Sequence, residues 1–336
     1  MKYSIIIPVF NGSATLHECL KAATSQNDTI LNVDYTVIVV DDGSTDNTMD
    51  IAGEFPVSII KLDKNRGRII ARLSGAQAAL TEKLLFVDSR VILSPDAIKQ
   101  AESLQHYPAV MGSYLAREAK YCSFFDTIFF LIRRKYYGTH NFPQKEDLLF
   151  IKKNNFKRAP KGTTVLLINR LLFIELTPDR TDKTVNDDTF IFQGLVFDKN
   201  ITLIRANKLQ FKYIQRTDLK SFIPWLFERG IRFADFYLRP GGYFYPLFVT
   251  ILTLLILTTI LVSLFSLYNP KGLLYVFSMI FIVFMGTVIY LSESPKDLLI
   301  VSVTLPLIIF IFGLGILKFY LINTKAYLCR QNQTFN

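Results

Sequence analysis

The chain has 336 residues, half of them hydrophobic, with a mean hydropathy of +0.29 and a formal charge of +10. That length holds one large domain or two smaller ones with ample core, and the hydropathy is high for a soluble protein. Cys19, Cys122 and Cys329 are scattered and odd in number, and His17, His106 and His140 are isolated, which argues against a disulfide framework and a His-based metal cluster and fits a reducing compartment.

Met1-Lys-Tyr-Ser enters a strand pattern directly, with neither a basic leader nor a small-residue cleavage site, so no signal peptide is expected. Four short runs rich in Ile and Val follow: Ser4–Asn11, Tyr35–Asp46, Val57–Leu62 and Leu84–Arg90. They are too short for helices and predict buried parallel strands. In open α/β sheets ligands bind outside the carboxyl ends of the strands, which is where Asp41, Asp42 and Asp88 fall. Carboxylates gathered there suit ribose hydroxyls, amide donors or a metal ion. Between the strands, a first helix is predicted from Thr15, whose hydroxyl and Glu18 form a capping-box pattern ahead of the stripe Leu16, Leu20, Ala23. A second carries Ile69, Leu73, Ala76 and Leu80 on one face, and Ser94-Pro95 offers an N-cap and first turn for a third. Ala109–Tyr114 and Thr163–Ile168 read as later strands. Phe124-Phe125 and Ile128–Ile132, ending in Arg133-Arg134-Lys135, are too short to span a bilayer and read as a buried helix of the soluble domain. A place in the headgroup layer or along an acceptor groove is the alternative.

Thr217–Leu238 interleaves Phe222, Trp225, Leu226, Phe233 and Phe236 with Lys220, Arg229 and Arg232. Aromatics with arginines beside a membrane segment suggest an interfacial helix; a helix packed on the soluble domain has the same pattern. Pro246–Leu267, Leu273–Leu291 and Leu298–Ile322 are then uncharged or nearly so, each about twenty residues and long enough to cross a bilayer. The division expected is a catalytic domain over 1–215, an amphipathic interfacial helix over 216–242, a membrane domain of about three helices over 243–323 and a tail over 324–336. Basic residues crowd 133–135, 152–153, 157–161 and 229–239. Beside membrane spans, anionic headgroups and phosphate-bearing substrates explain them more economically than nucleic acid, and the positive-inside rule accounts for part.

Asp41-Asp42-Gly43-Ser44-Thr45-Asp46 follows a strand directly. Its carboxylates can accept hydrogen bonds from a base N–H and from ribose hydroxyls, and Gly43 lets the backbone turn sharply. Alone it reads equally well as an ordinary turn. Together with Ile6-Ile7-Pro8-Val9-Phe10-Asn11, Asn65-Arg66-Gly67, Ala71-Arg72-Leu73-Ser74-Gly75 and Phe86-Val87-Asp88-Ser89-Arg90, the ordered set resembles the family 2 glycosyltransferases over about residues 3–95.

The resemblance implies the GT-A fold, a Rossmann-like α/β domain with a mostly parallel sheet, here followed by transmembrane helices. It implies inverting transfer from a nucleotide-diphosphate sugar, with Pro8 and Asn11 lining the nucleotide pocket, Asp41 and Asp42 holding base and ribose, and Arg66 and Arg72 near the donor. The family's Asp-X-Asp, which helps hold a divalent metal against the diphosphate, is Asp88-Ser89-Arg90 here. Either Arg90 neutralises the leaving diphosphate, making metal less necessary, or Asp88 keeps Mg²⁺ or Mn²⁺ through water and substrate oxygens while Arg90 points elsewhere. A weakened or dispensable metal is expected. Asn186-Asp187-Asp188-Thr189 matches the position where relatives carry Glu-Asp, making Asp188 the general base and Asp187 its neighbour; the same residues are also favoured helix caps. Lys161–Thr164 precedes a strand where relatives set backbone against the acceptor. Arg229-Gly230 falls near the family's late basic motif, a weak match because Trp225 precedes the arginine.

The expected activity is a membrane-anchored inverting glycosyltransferase acting on a lipid-linked or membrane-proximal acceptor, with its catalytic domain cytoplasmic because nucleotide sugars are. A polyprenyl-phosphate sugar synthase and a non-catalytic membrane subunit are the alternatives. A nicotinamide-dependent oxidoreductase is disfavoured, since no G-x-G-x-x-G follows the first strand. Three spans leave Lys318, Lys325 and Arg330 at a translocated end against the positive-inside rule. Two crossings with a re-entrant or Pro306-broken segment restore the sign.

Overall fold

The computed structural model describes residues 1–114, 124–137, 148–178, 187–240, 244–269 and 271–333. The chain forms two compact units, Met1–Cys122 with Tyr136–Gln215, and Ser123–Lys135 with Arg216–Asn336.

The first unit is built on a nine-stranded sheet. Its strands are β1 (Tyr3–Val9), β2 (Tyr35–Asp41), β3 (Ser58–Lys61), β4 (Lys83–Val87), β5 (Val91–Leu93), β6 (Ala109–Tyr114), β7 (Leu148–Ile151), β8 (Val165–Asn169) and β9 (Leu203–Tyr213). Helices α1 (Ser13–Thr24), α2 (Thr48–Gly53), α3 (Arg68–Ala78), α4 (Ala97–Ser103), α6 (Arg170–Leu176) and α7 (Asp187–Gln193) belong to the same unit. The order is β3-β2-β1-β4-β8-β6-β9-β5, with β7 also on β9. Strands β1, β2, β3, β4, β6 and β9 run one way, and β5, β7 and β8 the other. The four early runs are therefore adjacent parallel strands; β1, β2 and β4 are buried, as their unbroken apolar character requires, whereas β3 at the sheet edge is largely exposed rather than buried as expected. Ile5 and Ile7 of β1 join a core under α1 and α4, while Ile6 joins a second core under α3, α6 and α7.

Three local expectations fail for identifiable reasons. Helix α1 starts at Ser13 without a side-chain cap, because the Thr15 hydroxyl donates instead to the Ser89 carbonyl at 2.9 Å. Helix α3 stops at Ala78, leaving Leu80 93% exposed, and the buried position on its face goes to Arg72. Ser94 does not cap α4; the Ile98 amide donates to the Gln26 side chain at 3.0 Å.

The second unit contains α5 (Phe124–Tyr137), α8 (Leu219–Phe233) continued by a π-type segment over Ala234–Leu238, α9 (Tyr245–Tyr268), α10 (Gly272–Leu291) and α11 (Pro295–Gln333). Ile128 and Leu131 of α5 pack with Phe222, Leu226, Val288, Leu291, Val301 and Leu305. The short apolar helix thus belongs with this unit, not with the α/β core. Three stretches are long and apolar enough to cross a membrane: Tyr245–Phe265, Leu274–Leu291 and Pro295–Ile322.

Helices α8 and α11 meet at two glycines. A Cβ on Gly230 would run into the Phe312 carbonyl, and one on Gly315 into the Phe227 carbonyl, whereas a Cβ on Gly313 meets open space. Overpacking costs about 1–3 kcal/mol even where side chains can adjust, and backbone adjusts less. Gly315→Leu should lower the thermal unfolding temperature of the detergent-solubilised protein markedly, while Gly313→Leu, two residues away, should leave it nearly unchanged. Equal behaviour of the two variants would refute the glycine contact.

Candidate functional site

Because β1, β2 and β4 are parallel and in close register, their carboxyl ends open on one edge. Strand β8 runs antiparallel to β4 with Val165 opposite Val87, so the loop before it reaches the same edge, where the Asp88 amide donates to the Thr164 carbonyl at 3.0 Å.

The loops after β1 and β2 are knitted together. Asn11, at φ 49°, receives the Thr45 amide on its side-chain oxygen at 2.8 Å and donates its own amide to Ser44 Oγ at 2.9 Å. The Gly12 amide donates to Thr48 Oγ1 at 2.8 Å and the Ser13 amide to Asp46 Oδ2 at 3.1 Å. Burial acts to raise the Asp46 pKa, but hydrogen bonds from Thr48 and Ser13 outweigh it and hold the carboxyl below its ordinary value. Asp46, Thr48 and Ser13 were not singled out from the sequence, although Asp46 closes the motif that was. Gly43 has φ 75°, and a side chain there would strike the backbone of Lys64 and Asn65. Pro8 is buried in β1 past the last β1–β4 pair, Ile6 with Phe86, so its missing N–H costs nothing on that side.

The two aspartates that end β2 differ. Asp42 accepts the Arg66 amide at 2.6 Å and the Gly67 amide at 2.8 Å, one on each oxygen, and so fixes a turn that needs φ 97° at Gly67. Asp41 is fully buried; Oδ1 accepts the Ser44 amide at 3.0 Å, but among the described residues Oδ2 has no partner. Buried polar atoms in folded proteins are almost always satisfied, so Oδ2 is an acceptor whose donor is not among the described residues. Arg66 itself is exposed beside this turn.

At the end of β4, Arg72 places Nη2 2.9 Å from Asp88 Oδ1, its side chain 1% exposed against 23% for Asp88. Arg72 was expected near the donor; wholly buried, it reaches the edge through Asp88 instead. Ser89 lies against Gly12 and holds Thr15 by its carbonyl. Arg90 was expected to be catalytic, in one reading as a counter-charge to diphosphate. Its Nε and Nη2 instead donate to the Ile214 and Gln215 carbonyls at 2.8 and 3.0 Å, and its own carbonyl receives the Ile214 amide at 2.8 Å. Of the two open readings, this geometry is the one in which Arg90 points elsewhere.

The backbone of Asp187 and Asp188 opens α7, which Ile191 and Phe192 anchor in the second core; their side chains, and Asn186, lie outside the described residues. Arg229 belongs to the second unit, its guanidinium 4.4 Å from the Trp225 ring. Among the described residues no three His, Cys, Asp or Glu side chains converge as a metal cluster. At the β4 end one oxygen of the Asp88 carboxylate faces Arg72.

Lys161 sits in the loop before β8, its Nζ donating to the Ala159 and Phe156 carbonyls and standing 4.3 Å from the Phe156 ring. Desolvation pushes its pKa from 10.5 down to about 8.

Residues 4–158 match the profile of the Glycosyl transferase family 2. The chain is 36% identical over 104 residues to the poly(ribitol-phosphate) beta-glucosyltransferase of Bacillus spizizenii, covering 29% of this chain and 16% of that protein. It is 38% identical over 90 residues to the glycosyltransferase AglE of Haloferax volcanii, covering 25% of this chain and 29% of that one. The chain thus spans under a third of the length of these curated relatives. Among solved structures it is similar to the mannosyltransferase PcManGT of Pyrobaculum calidifontis in complex with GDP-Man and Mn²⁺, with TM-score 0.48, 18% identity, and coverage of 70% of this chain and 63% of that one. It is also similar to S. aureus TarS 1–349 in complex with UDP, with TM-score 0.44, 18% identity, and coverage of 70% and 66%. The parallel β3-β2-β1-β4 core of the first unit lies, Tyr3 apart, within the residues that match this family.

Two measurements follow from this geometry. Asp41→Asn keeps an acceptor for Ser44 and should leave thermal stability unchanged while weakening UDP or GDP binding at least tenfold. Asp42→Asn strips a buried amide of its acceptor and should cost about 1–3 kcal/mol of stability. The reverse assignment would show the loss of stability in Asp41→Asn. For Lys161, the unfolded chain binds the proton more tightly than the folded one between pH 8 and 10.5, so this residue makes stability rise with pH across that window. Relative to Lys161→Met, the wild type should gain stability from pH 8 to 10; parallel pH profiles would exclude it.

Proposed function

We propose, for a chain whose residues 4–158 match the family 2 glycosyltransferases, that the first unit transfers a sugar with inversion from a nucleotide-diphosphate donor to a lipid-linked or membrane-proximal acceptor. The observation that carries this reading is the buried Asp41 Oδ2 at the carboxyl edge of the parallel strands, which has no partner among the described residues. An acceptor atom there fits the ring N–H of a nucleobase. Asp42 and Asn11 hold the surrounding loops rather than the ligand, and exposed Arg66 is available to the diphosphate.

The chemistry needs a base on the side opposite the leaving group. In this reading Asp188 takes the proton from the acceptor hydroxyl or phosphate as its oxygen bonds to the anomeric carbon, and the bond from that carbon to the diphosphate breaks. The nucleoside diphosphate leaves with the bonding electrons. Asp187 stands beside the base. A Mg²⁺ or Mn²⁺ bound here would take Asp88 as its one side-chain ligand and complete its shell with diphosphate oxygens and water, shielding the charge that develops on the leaving group. With one shared carboxylate and Arg90 tied to residues 214 and 215, such an ion is held loosely. The three membrane-length helices motivate the lipid-linked acceptor, and the cytoplasmic pool of nucleotide sugars places the catalytic side in the cytoplasm.

The test is nucleoside diphosphate release by the purified full chain across a panel of nucleotide sugars. One donor should be cleaved slowly, and cleavage should persist in EDTA. Asp188→Asn should lower turnover about 100-fold or more with donor affinity retained. Release from no donor would overturn the enzyme reading, complete loss in EDTA the loosely held metal, and sensitivity of Asp187→Asn alone the choice of base.

A further inference from the structure

The three membrane-length helices are not alike. Of its most apolar eighteen residues, α9 buries none and α10 only 11%, against 39% for α11. What covers α11 is α8 and its continuation. Phe222 and Leu226 cluster with Val301, Leu305 and Ile308; Gly230 meets Phe312 and Gly315; and Leu238 packs on Phe319, with the Tyr320 hydroxyl on its carbonyl. The contact advances along both helices in the same direction.

The two ends of this contact are tied to the feet of the other helices. Val288 and Leu291, in the last turns of α10, pack with Val301 and Leu305 near the start of α11. Phe248, in the first turn of α9, stacks on Tyr320 at 5.6 Å. From 301 to 320 an α-helix rises roughly 28 Å. Consecutive helices α9 and α10, joined by a turn of a few residues, enter and leave a bilayer on the same face. The segment 301–320 therefore connects two points on one face. A crossing α11 would carry Tyr320 to the opposite face, away from Phe248.

The partner helix agrees. If α11 crossed, α8 would cross beside it with Glu228, Arg229 and Arg232 near mid-membrane, and Glu228 and Arg229 are exposed. On α11 the exposed side is an apolar stripe, Leu299, Val303, Phe310, Leu314, Leu317 and Leu321. An apolar face below and charged residues above is the arrangement of helices lying in a lipid interface.

We infer that α8 and α11 form a two-helix plate lying on the membrane face from which α9 enters, its α11 side seated on lipid, and that the chain crosses the bilayer twice, through α9 and α10. The hydropathy of α11 serves docking to lipid instead of spanning. The plate also keeps Lys318, Lys325 and Arg330 on the entry face, as the positive-inside rule prefers.

Side-specific labelling tests this in sealed membrane vesicles with an impermeant maleimide. In a chain with Cys19→Ala and Cys122→Ser, native Cys329 should react from the same side as an added Ser292→Cys, and a Lys271→Cys probe from the opposite side. Reaction of Cys329 from the Lys271→Cys side, or of Lys271→Cys and Ser292→Cys from one side, would overturn the inference. The unmutated protein gives a second readout, because Trp225 on α8 is the chain's single tryptophan. In phosphatidylcholine–phosphatidylglycerol vesicles, lipids spin-labelled at carbon 5 should quench its fluorescence at least twofold more than lipids labelled at carbon 12. Stronger quenching by the deep label would place α8 in the bilayer core and sink the plate.

Discussion

The ion pair between Arg72 and Asp88 is the constraint on which the edge of the sheet depends. The guanidinium is shut away from water on α3, and it faces a carboxylate that still touches solvent. Removing one member of a buried pair leaves a stranded charge and typically costs about 3–5 kcal/mol. Asp88 is therefore held in one place by the protein itself. That is the property a catalytic edge needs, because a carboxylate free to rotate would lose the geometry that makes it useful. Gly75, one turn along α3, complements this pair. A Cβ there would collide with Ile6 and Val40, so only glycine lets α3 press onto β1 and β2 and bring Arg72 under the strand ends.

A second asymmetry concerns the neighbouring aspartates. Chemically identical and adjacent, Asp41 and Asp42 use their oxygens differently. Asp42 spends both oxygens on the backbone amides of Arg66 and Gly67, and Asp41 keeps one back. The first stiffens the wall of the site, and the second is the one that the proposed reading assigns to the ligand. Arg90 follows the same logic of fixed scaffolding. A guanidinium where a second carboxylate would stand, bound to the carbonyls of residues 214 and 215, joins the strand-end loop to the end of β9. The loop after β4 gains a rigid tie.

Much of the first unit was legible because its signals are strong and local. Strands buried on both faces are continuous apolar runs, and β2 and β6 fall on the expected residues. The helix termini were less legible, since a threonine three residues before a glutamate looks the same whether its hydroxyl caps α1 or holds the carbonyl of Ser89. Arg72 is a similar case: an arginine amid apolar residues reads as surface until the sheet that covers it is known. The roles of Asp42 and Arg90 depend on residues 24 and 124 positions away, and no pattern of local spacing carries that information. Asp187 and Asp188 stand where the sequence suggested a helix start, and their backbone does open α7.

The second unit shows the limit of composition most clearly. Pro295–Ile322 has a mean hydropathy of 2.7 and Tyr245–Phe265 one of 2.6, so length and apolarity rank the two segments as equals. What separates them is a pair of glycines far apart in sequence, Gly230 and Gly315, that allow a charged amphipathic helix to lie backbone to backbone on one segment and not on the other. Hydropathy reports affinity for lipid, and a helix can meet that affinity across the bilayer or along its surface. The choice is made by what the helix touches at each end.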